Sequence, residues 1–310
     1  MHEFEIDVLL ATCNGAQFLE EQLHSLFRQT FQNFRLVVRD DCSEDSTLDV
    51  IEHFRSRYSD SIEIHRNATR QGACRNFALL TQQSVAPYFA FCDQDDIWHP
   101  DKLELSLRAM KMVEHRHGID TPAIVFTDVA LMNESAEIIS PSMWRAMHVV
   151  PECLTFGSQL VQNLVTGCTV LGNRSLLKLG SPVAADAYMH DYWFGLVATA
   201  FGVVCPLRTV TVNYRQHPKN AIGAKYRSAA GKIAQLWSDP DLKAYMAASQ
   251  KQARDFASRY ASMLKVEHKT TLEAWSGAQR YPAPVRQWEL YRHGLRRTSF
   301  LNNLGFMLRA

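Results

Sequence analysis

The sequence predicts an α/β protein, in which a mainly parallel sheet is flanked by helices and followed by a C-terminal helical extension. Short apolar runs rich in β-branched and aromatic residues alternate with amphipathic stretches through residue 132. This alternation loosens after Asn133. From about Arg227 onward the strand pattern is lost and apolar residues recur at helical spacing. We therefore expect two regions, residues 1–226 and residues 227–310.

The alternation can be followed element by element. Predicted strands cover residues 6–11, 34–39, 62–65, 88–92, 123–132, 169–172 and 203–214. Predicted helices cover residues 17–29, 46–58, 72–83, 100–118 and 191–201, then 243–264 and 285–297. Ser46 is the expected cap of the second helix. Strand–helix–strand connections of this length give parallel pairing, with helices on both faces of the sheet.

The charge balance argues against a nucleic-acid partner. Lys and Arg number 33 and Asp and Glu number 32, so the chain has no general attraction for a polyanion. The distribution is uneven, however, because residues 231–310 carry 13 basic against 6 acidic side chains. We expect this basic end to face an anionic surface and the acidic body to bind cations or phosphates.

The seven cysteines form no CxxC pair, and the N-terminal residues lack the pattern of a signal peptide. No uncharged run reaches the roughly 20 residues of a membrane span. These features predict a cytoplasmic protein with reduced thiols, one that could lie peripherally on the inner face of the cell membrane.

Acidic side chains follow several of the predicted strands. Ligands of open α/β sheets bind beyond the carboxyl ends of the strands, so these aspartates are expected to converge on one rim. The six aspartates concerned are Asp40, Asp41, Asp93, Asp95, Asp96 and Asp128. The closely spaced Asp93 and Asp95 offer hard oxygen ligands to Mg²⁺ or Mn²⁺, an ion that would hold a substrate diphosphate. The alternative is a polar loop that caps the following helix.

Several common motifs are absent from the sequence. It contains no GxGxxG or GxxxxGK[ST] phosphate loop, no GxSxG elbow, and no His and Cys at zinc-site spacing. A dinucleotide-binding cradle, a P-loop and a serine-hydrolase site are therefore not expected.

A set of motifs between residues 6 and 224 resembles the family 2 glycosyltransferases, whose domain has the GT-A nucleotide-diphospho-sugar transferase fold. The matching segments are VLLATCNG, LVVRDDCSEDST, GACRNFALL, YFAFCDQDDIWHPDKL, FTDVALMN, TGCTVLGN, MHDYWFGLVA and YRQHPKN. Within them, DQDDIW, HDYW and YRQH resemble the bacterial rhamnosyltransferase-like branch, which builds surface polysaccharides such as O-antigen and capsule. Cys13 and Cys42 stand where the family frequently has Tyr and Gly, which leaves the nucleotide open.

The resemblance implies roles for individual residues. Asp191 corresponds to the catalytic base, and its place at a helix N-terminus is expected to keep the carboxylate ionised, although an ordinary N-cap would look the same in sequence. Asp93 and Asp95 correspond to the metal-binding D-x-D motif, with His217 as a further contact. His190 and Trp193 are candidates for acceptor binding. The implied nucleotide and donor residues are Thr12, Asn14, Asp41, Arg70, Asn76, Asp93, Gln94 and Arg215.

The activity implied is an inverting transfer of one sugar from a nucleotide donor to a glycan acceptor linked to polyprenyl diphosphate. The Q-x-x-R-W signature of processive members is absent. L-Rhamnose from dTDP-rhamnose is the first choice of donor, and a UDP-hexose such as UDP-glucose or UDP-galactose is the alternative. A non-catalytic sugar-nucleotide-binding module and a Mg²⁺-dependent phosphohydrolase are the rivals from other classes.

The C-terminal residues combine basic and aromatic side chains. Arg286, Arg292 and Arg296 interleave with Trp288 and Tyr291. Such a helix could lie on an anionic bilayer or pack its apolar stripe onto the preceding domain.

Overall fold

A computed structural model of the chain describes residues 4–218, 220, 240–298, 303, 306 and 307, with backbone only for 240–243. The predicted boundary between residues 226 and 227 lies outside the described residues, as does Lys219 of the YRQHPKN motif.

Nine strands form a single sheet in the described part of the chain. They are β1 (Ile6–Thr12), β2 (Phe34–Asp40), β3 (Ile62–Arg66), β4 (Tyr88–Cys92), β5 (Ile97–Trp98), β6 (Ala123–Met132), β7 (Ile138–Ser140), β8 (Leu171–Asn173) and β9 (Val203–Arg215). The order is β3-β2-β1-β4-β8-β6-β9-β5, and β7 pairs with β6. Strands β3, β2, β1 and β4 are parallel, as are β6 and β9, whereas β8 runs antiparallel between β4 and β6.

The helices lie between and after these strands. They are α1 (Ala16–Phe27), α2 (Thr47–Arg57), α3 (Ala73–Gln83), α4 (Lys102–His117), α5 (Met143–Ala146), α6 (Phe156–Val161), α7 (Arg174–Gly180), α8 (His190–Phe201), α9 (Pro240–Arg259), α10 (Val266–Ser276) and α11 (Ala283–Arg292). The predicted α/β class, with a largely parallel sheet and helices at the C-terminus, is confirmed.

Alternate side chains of each strand enter two different cores. Val8 and Leu10 of β1 pack with α1, α2 and α4 on one face of the sheet. Leu9 between them packs on the other face, with Phe77 of α3 and Trp193 of α8. This period of two follows from the pleat of the strand, and each fully buried apolar side chain contributes about 1.5–3 kcal/mol. Both faces are covered, so β1, β4 and β6 are apolar and buried nearly throughout.

The C-terminal helices share a core with α8. Phe256 of α9 packs edge-on against Trp193 with ring centroids 5.4 Å apart, and Trp275 of α10 and Leu290 of α11 are fully buried in the same cluster. The region after residue 240 is thereby packed onto the sheet-bearing part of the chain. None of the helices in the described ranges is sufficiently long and apolar for a bilayer-spanning segment.

Local differences from the sequence prediction have physical causes. Residues 167–169 form a 3₁₀ turn, so β8 begins only at Leu171. The structure has the helix α10 (Val266–Ser276) between the two predicted C-terminal segments, residues 243–264 and 285–297, and Lys265 immediately before it is extended. At the start of α2, the side chain of Asp45 accepts a hydrogen bond from the Thr47 amide at 3.0 Å, while Ser46 makes no capping hydrogen bond.

Candidate active site

The loops that follow β1, β2 and β4 interlock at the carboxyl edge of the sheet. The amide of Gln94 pairs with the backbone of Cys13, which donates to Oε1 at 2.8 Å and accepts from Nε2 at 3.1 Å. The side chain of Asn14 accepts from the Glu44 amide at 2.8 Å. Asn14 has a φ of 48°, a left-handed conformation that Asn tolerates better than most residues. These contacts hold the three loops as one platform.

Asp41 organises the loop that precedes α3. Its carboxylate accepts hydrogen bonds from the amides of Gln71 and Gly72, both at 2.7 Å, and from Asn67 Nδ2 at 2.8 Å. Asn76 holds Asn67 in turn, since Asn76 Oδ1 accepts from Asn67 Nδ2 at 2.9 Å. Gly72 has a φ of 80°, which favours glycine at this turn. Asp41 thus lines the cleft with a carboxylate fixed by backbone amides.

The acidic segment after β4 places Asp93 and Asp95 at the cleft. Burial and the neighbouring carboxylates of Asp95 and Asp191 raise the pKa of Asp93 to about 8. Asp95 Oδ2 lies 2.8 Å from His217 Nε2. The three side chains proposed to hold a metal therefore lie on one wall, where carboxylate charge is concentrated.

A second set of ionisable side chains lies below this wall. Asp93, Asp96 and Cys168 present donor atoms within 4.8 Å of one another. Asp96 and Cys168 are fully buried, and beneath them Lys102 packs its ammonium 3.5 Å from the centroid of the Trp98 ring. Burial lowers the pKa of Lys102 to about 8. Burial and the neighbouring carboxylates of Asp95 and Asp93 also raise the pKa of Asp96 well above its usual range, so this interior set offers a cation little negative charge.

Asp191 lies in the first turn of α8 and faces the cleft. Its Oδ2 accepts a hydrogen bond from the Gly167 amide at 3.0 Å, and its Oδ1 accepts one from the Tyr192 amide at 2.6 Å. Burial raises the pKa of Asp191 to about 6, although these hydrogen bonds and one from Asn163 act in the opposite direction. The sequence predicted that the helix N-terminus would keep Asp191 ionised. In the structure, desolvation by burial has the largest influence on its pKa.

His190 precedes Asp191 and is enclosed by aromatic rings. Its imidazole stacks on Phe77 at 3.8 Å and meets the edge of Phe91 at 4.4 Å. Burial lowers the pKa of His190 to about 3, so the ring is neutral. The side chain lines the cleft with 2% of its surface exposed, which limits any acceptor contact to the ring edge.

One cleft of about 1120 Å³ joins these features. The sequence-predicted residues that line it are Thr12, Asn14, Asp41, Arg70, Asn76, Asp93, Gln94, Asp95, His190, Asp191 and His217. Arg70 is exposed at the rim and donates to Cys13 Sγ at 2.9 Å. Residues separated by up to 205 positions in sequence, from Thr12 to His217, thus share a single cavity.

Two predicted site residues lie elsewhere. Trp193 is fully buried and donates through Nε1 to the Gly180 carbonyl at 2.8 Å, so the predicted acceptor contact is wrong. Arg215 is 1% exposed, and its guanidinium donates to the Asp95 and Glu134 carbonyls and to Glu21. Arg215 therefore holds the acidic loop in place and does not offer its charge to a phosphate.

The expected convergence of six aspartates holds for three of them. Asp41, Asp93 and Asp95 line the cleft. Asp40 accepts from Thr12 and Ser43 within the loop platform, and Asp96 is fully buried. Asp128 accepts from the Trp144 amide at 3.0 Å and anchors the start of α5. Burial with local hydrogen-bond partners turns these three side chains inward.

Comparisons with known proteins show similarity to glycosyltransferases. Residues 7–151 match the model of glycosyl transferase family 2. Residues 7–151 belong to this family. It is 27% identical over 227 residues to the dTDP-rhamnosyl transferase RfbG of Shigella flexneri, covering 69% of this chain and 74% of that protein.

A second relative of this chain is the UDP-Glc:α-D-GlcNAc-diphosphoundecaprenol β-1,3-glucosyltransferase WfgD of Escherichia coli. It is 29% identical over 181 residues, or 57% of this chain and 63% of that protein. Among solved structures, S. aureus TarS 1–349 in complex with UDP-GlcNAc superposes with a TM-score of 0.55 at 17% identity, covering 98% of this chain and 90% of TarS. This likeness shows that the chain has the GT-A fold.

Sequence reasoning missed the groups that hold Asp191. Gly167 supplies an amide to the carboxylate, and a side chain at this position would approach Asp191 Oδ2 within 3.3 Å and His190 Nε2 within 3.2 Å. The glycine in TGCT was a usable signal, since a close backbone approach demands it. Asn163, Tyr245 and Arg297 also line the cleft, and no spacing in the sequence pointed to them.

Proposed function

We propose that this family 2 glycosyltransferase is an inverting, non-processive enzyme that moves one sugar from a nucleotide donor to a glycan acceptor in surface polysaccharide synthesis. The observation that carries this proposal is a single cleft in which Asp191 faces the pair Asp93 and Asp95. Residues 1–226 would form the catalytic domain, and the helical region from 227 to 310 would complete its acceptor side.

Asp191 is proposed as the general base. A carboxylate with a pKa near 6 is ionised at neutral pH and more basic than an ordinary aspartate, which suits removal of a proton from an acceptor hydroxyl. The hydroxyl oxygen then attacks the anomeric carbon from the face opposite the nucleotide, and the proton stays on Asp191. The Gly167 amide and the first turn of α8 keep the carboxylate oriented for this transfer.

Asp93, Asp95 and His217 are proposed to hold Mg²⁺ or Mn²⁺. Their oxygen and nitrogen atoms are suitable ligands for either ion. Burial and repulsion from neighbouring carboxylates raise the pKa of Asp93, and a divalent cation would relieve this repulsion. When bound, such an ion neutralises the charge of the leaving diphosphate. The chain itself positions the ligands through Arg215, whose side chain donates to the Asp95 carbonyl at 2.8 Å.

The nucleotide is proposed to lie between Thr12, Asn14, Asp41 and Arg70. Asp41 Oδ2 accepts one backbone amide, which leaves a lone pair for a base N–H, and Arg70 supplies positive charge at the rim. Asn76 and Gln94 act through their neighbours, because their amides hold Asn67 and Cys13. Likeness to a dTDP-rhamnosyl transferase supports dTDP-L-rhamnose as donor, and likeness to a UDP-glucose enzyme keeps UDP-hexose as the alternative.

A panel of nucleotide sugars with Mn²⁺ tests the proposed donor. We expect dTDP-rhamnose to raise the thermal midpoint of unfolding most, because it is the proposed donor. A ligand present at 100 times its Kd stabilises the folded state by about 2.7 kcal/mol. GDP-mannose serves as the mismatched purine control. A larger shift with UDP-glucose would transfer the assignment to the UDP-hexose alternative, and the absence of any shift would contradict a nucleotide-sugar site.

The rivals from other classes have less support. A non-catalytic binding module would not need a carboxylate oriented by three hydrogen-bond donors in the cleft, as Asp191 is. A phosphohydrolase of the aspartyl-phosphate type needs a nucleophilic Asp with a lysine beside it in the open cleft. Lys102 is fully buried under Trp98 and does not line the cleft.

We also propose that the protein lies on an anionic membrane through α11. The predicted apolar stripe is divided, because Leu290 is fully buried whereas Trp288 and Tyr291 are 61% and 57% exposed. Arg292 is exposed beside them. Exposed aromatic side chains with adjacent arginines suit the headgroup region of a bilayer, where a polyprenyl-linked acceptor would reside.

Replacing Trp288 and Tyr291 together by Ala is expected to weaken binding to phosphatidylglycerol-containing vesicles by about tenfold, since two interfacial side chains are lost. Cosedimentation measures the bound fraction. The control is Met112→Ala, which removes an apolar side chain of α4 that is 62% exposed. If the double variant and the parent protein bind the vesicles equally well, α11 serves only to pack against the rest of the protein.

A further inference from the structure

The lining of the cleft contains two permanently positive side chains among the residues that the structure describes. One is Arg70, at the rim beside Cys13. The other is Arg297, which follows α11 and comes from the C-terminal region. Five aspartates line the same cavity, namely Asp41, Asp45, Asp93, Asp95 and Asp191. Because this excess of carboxylates repels anions, an anionic substrate needs a cation on the side from which it enters.

Arg297 lies on the Asp191 side of the cleft, because the amide of the next residue, Thr298, lies 3.4 Å from Oε1 of Gln162, the residue before Asn163. It neighbours Tyr245, whose hydroxyl accepts a hydrogen bond from the Asn163 amide at 3.0 Å. Asn163 in turn donates to Asp191. Burial raises the pKa of Tyr245 and of Tyr192, and the positive charge of Arg297 opposes this rise in both.

The segment that carries Arg297 is held firmly against the catalytic body. Gly294 has a φ of 67° and turns the chain after α11, so that its carbonyl approaches the position of a Cβ at Gly157 within 2.7 Å. Leu295 is fully buried, and the Thr298 amide lies 3.4 Å from Gln162 Oε1. The guanidinium also lies over the Phe306 ring at 5.7 Å. Arg297 is thus a positioned side chain rather than one of the solvated arginines of the basic C-terminus.

We propose that Arg297 is the residue that binds a phosphate group of the acceptor, on the side of the cleft where Asp191 lies. This proposal rests on the function proposed above and adds a binding residue to it. A guanidinium is suited to the subsite, since it stays charged and can donate two parallel hydrogen bonds to phosphate oxygens.

Isothermal titration with geranyl diphosphate tests the subsite without requiring turnover. The protein is first saturated with UDP and Mn²⁺, or dTDP if the donor panel favours it, so that the donor side is filled. We expect the parent protein to bind geranyl diphosphate, and Arg297→Gln to raise its Kd by about tenfold or more. Arg297→Lys should retain part of the affinity. The control is Arg108→Gln, an exposed arginine of α4 whose guanidinium lies 3.1 Å from Glu104.

A second titrant and the nucleotide show which ligand Arg297 recognises. If inorganic pyrophosphate reproduces the Arg297-dependent binding, the phosphates alone are recognised, and if it does not, the prenyl chain contributes as well. Equal affinity of Arg297→Gln and the parent protein for geranyl diphosphate would overturn the proposal, as would absence of binding by the parent. A weaker Kd for the nucleotide in Arg297→Gln would also overturn it, since Arg297 would then serve the donor.

Failure of the proposed function is a distinct result. It would appear as absence of nucleotide binding by the parent protein. The titration of geranyl diphosphate into nucleotide-free protein would then still report on Arg297. Circular dichroism melting of each variant checks that the C-terminal segment remains folded.

Discussion

Replacing Asp191 by Asn is expected to lower the rate of sugar transfer by about 10²–10⁴-fold, the range that a positioned general base contributes. Asparagine keeps the shape of the side chain, and its Oδ1 can still accept a backbone hydrogen bond, but it cannot take a proton from the acceptor hydroxyl. Affinity for the nucleotide should be unchanged, because the donor residues Asp41 and Arg70 are held by other loops. Initial rates and calorimetry measure the two quantities.

The matched control is Asp186→Asn. Asp186 lies in the loop before α8, is partly exposed and pairs with Lys251 at 2.6 Å, outside the residues that line the cleft. Its replacement removes the same charge from a position five residues earlier and should leave the rate within about twofold of the parent, because a single exposed ion pair contributes little. Near-normal turnover of Asp191→Asn would exclude Asp191 as the base.

Titration of the Asp191 carboxylate should make the rate of transfer depend on pH. The base must be deprotonated, so kcat/KM should rise as the pH increases through about 6 and level off above it. A divalent cation beside Asp93 would move this midpoint downward, because positive charge favours the carboxylate. The acidic limb should vanish from the residual activity of Asp191→Asn, which distinguishes titration of the base from acid unfolding.

Replacing Asp95 by Asn is expected to raise the Kd of the nucleoside diphosphate, measured with Mn²⁺, by about tenfold or more, because a metal bridge to phosphate oxygens is worth several kcal/mol. EDTA should weaken binding to the parent protein and have little further effect on the variant. Asp93→Asn should behave in the same way, and it leaves the contact between Asp95 and His217 intact. Calorimetry with and without EDTA measures each Kd.

Asp101→Asn is the control for this experiment. Asp101 is exposed, immediately precedes α4 and makes no capping hydrogen bond through its side chain. Its replacement should therefore leave nucleotide affinity and EDTA sensitivity unchanged. Nucleotide binding by the parent protein that is insensitive to EDTA would contradict a metal site in this cleft.

Much of the sheet could be predicted because its signals are local. The apolar runs at residues 88–92 and 123–132 are bounded by polar residues and match β4 and β6 in extent. The rule that ligands bind beyond the carboxyl ends of strands selected Thr12, Asp41 and Asp93, which line the cleft. Short strands such as β5 and β7 escaped prediction, since two or three residues carry no periodicity.

The errors at the site have equally definite causes. Trp193 follows Asp191 by two positions, which is about 200° around an α-helix, so one side chain faces the cleft and the other faces the core. Helical geometry alone would have excluded Trp193. Arg215 is different, because its partners Glu21, Asp95 and Glu134 lie far away in sequence.

The amino-acid sequence was sufficient for the family resemblance, the α/β class and the set of candidate carboxylates, because these depend on residue type, on short-range pattern and on the direction of parallel strands. It could not decide which aspartates reach solvent in the cleft, how burial raises the pKa of Asp191, or that Arg297 returns to the cavity from the C-terminal region. These properties depend on contacts between residues far apart in sequence, such as Asp95 with His217 and Gly157 with Gly294. Desolvation and charge proximity arise only when the chain is folded, and they distinguish the residues proposed to act on substrate from those that support them.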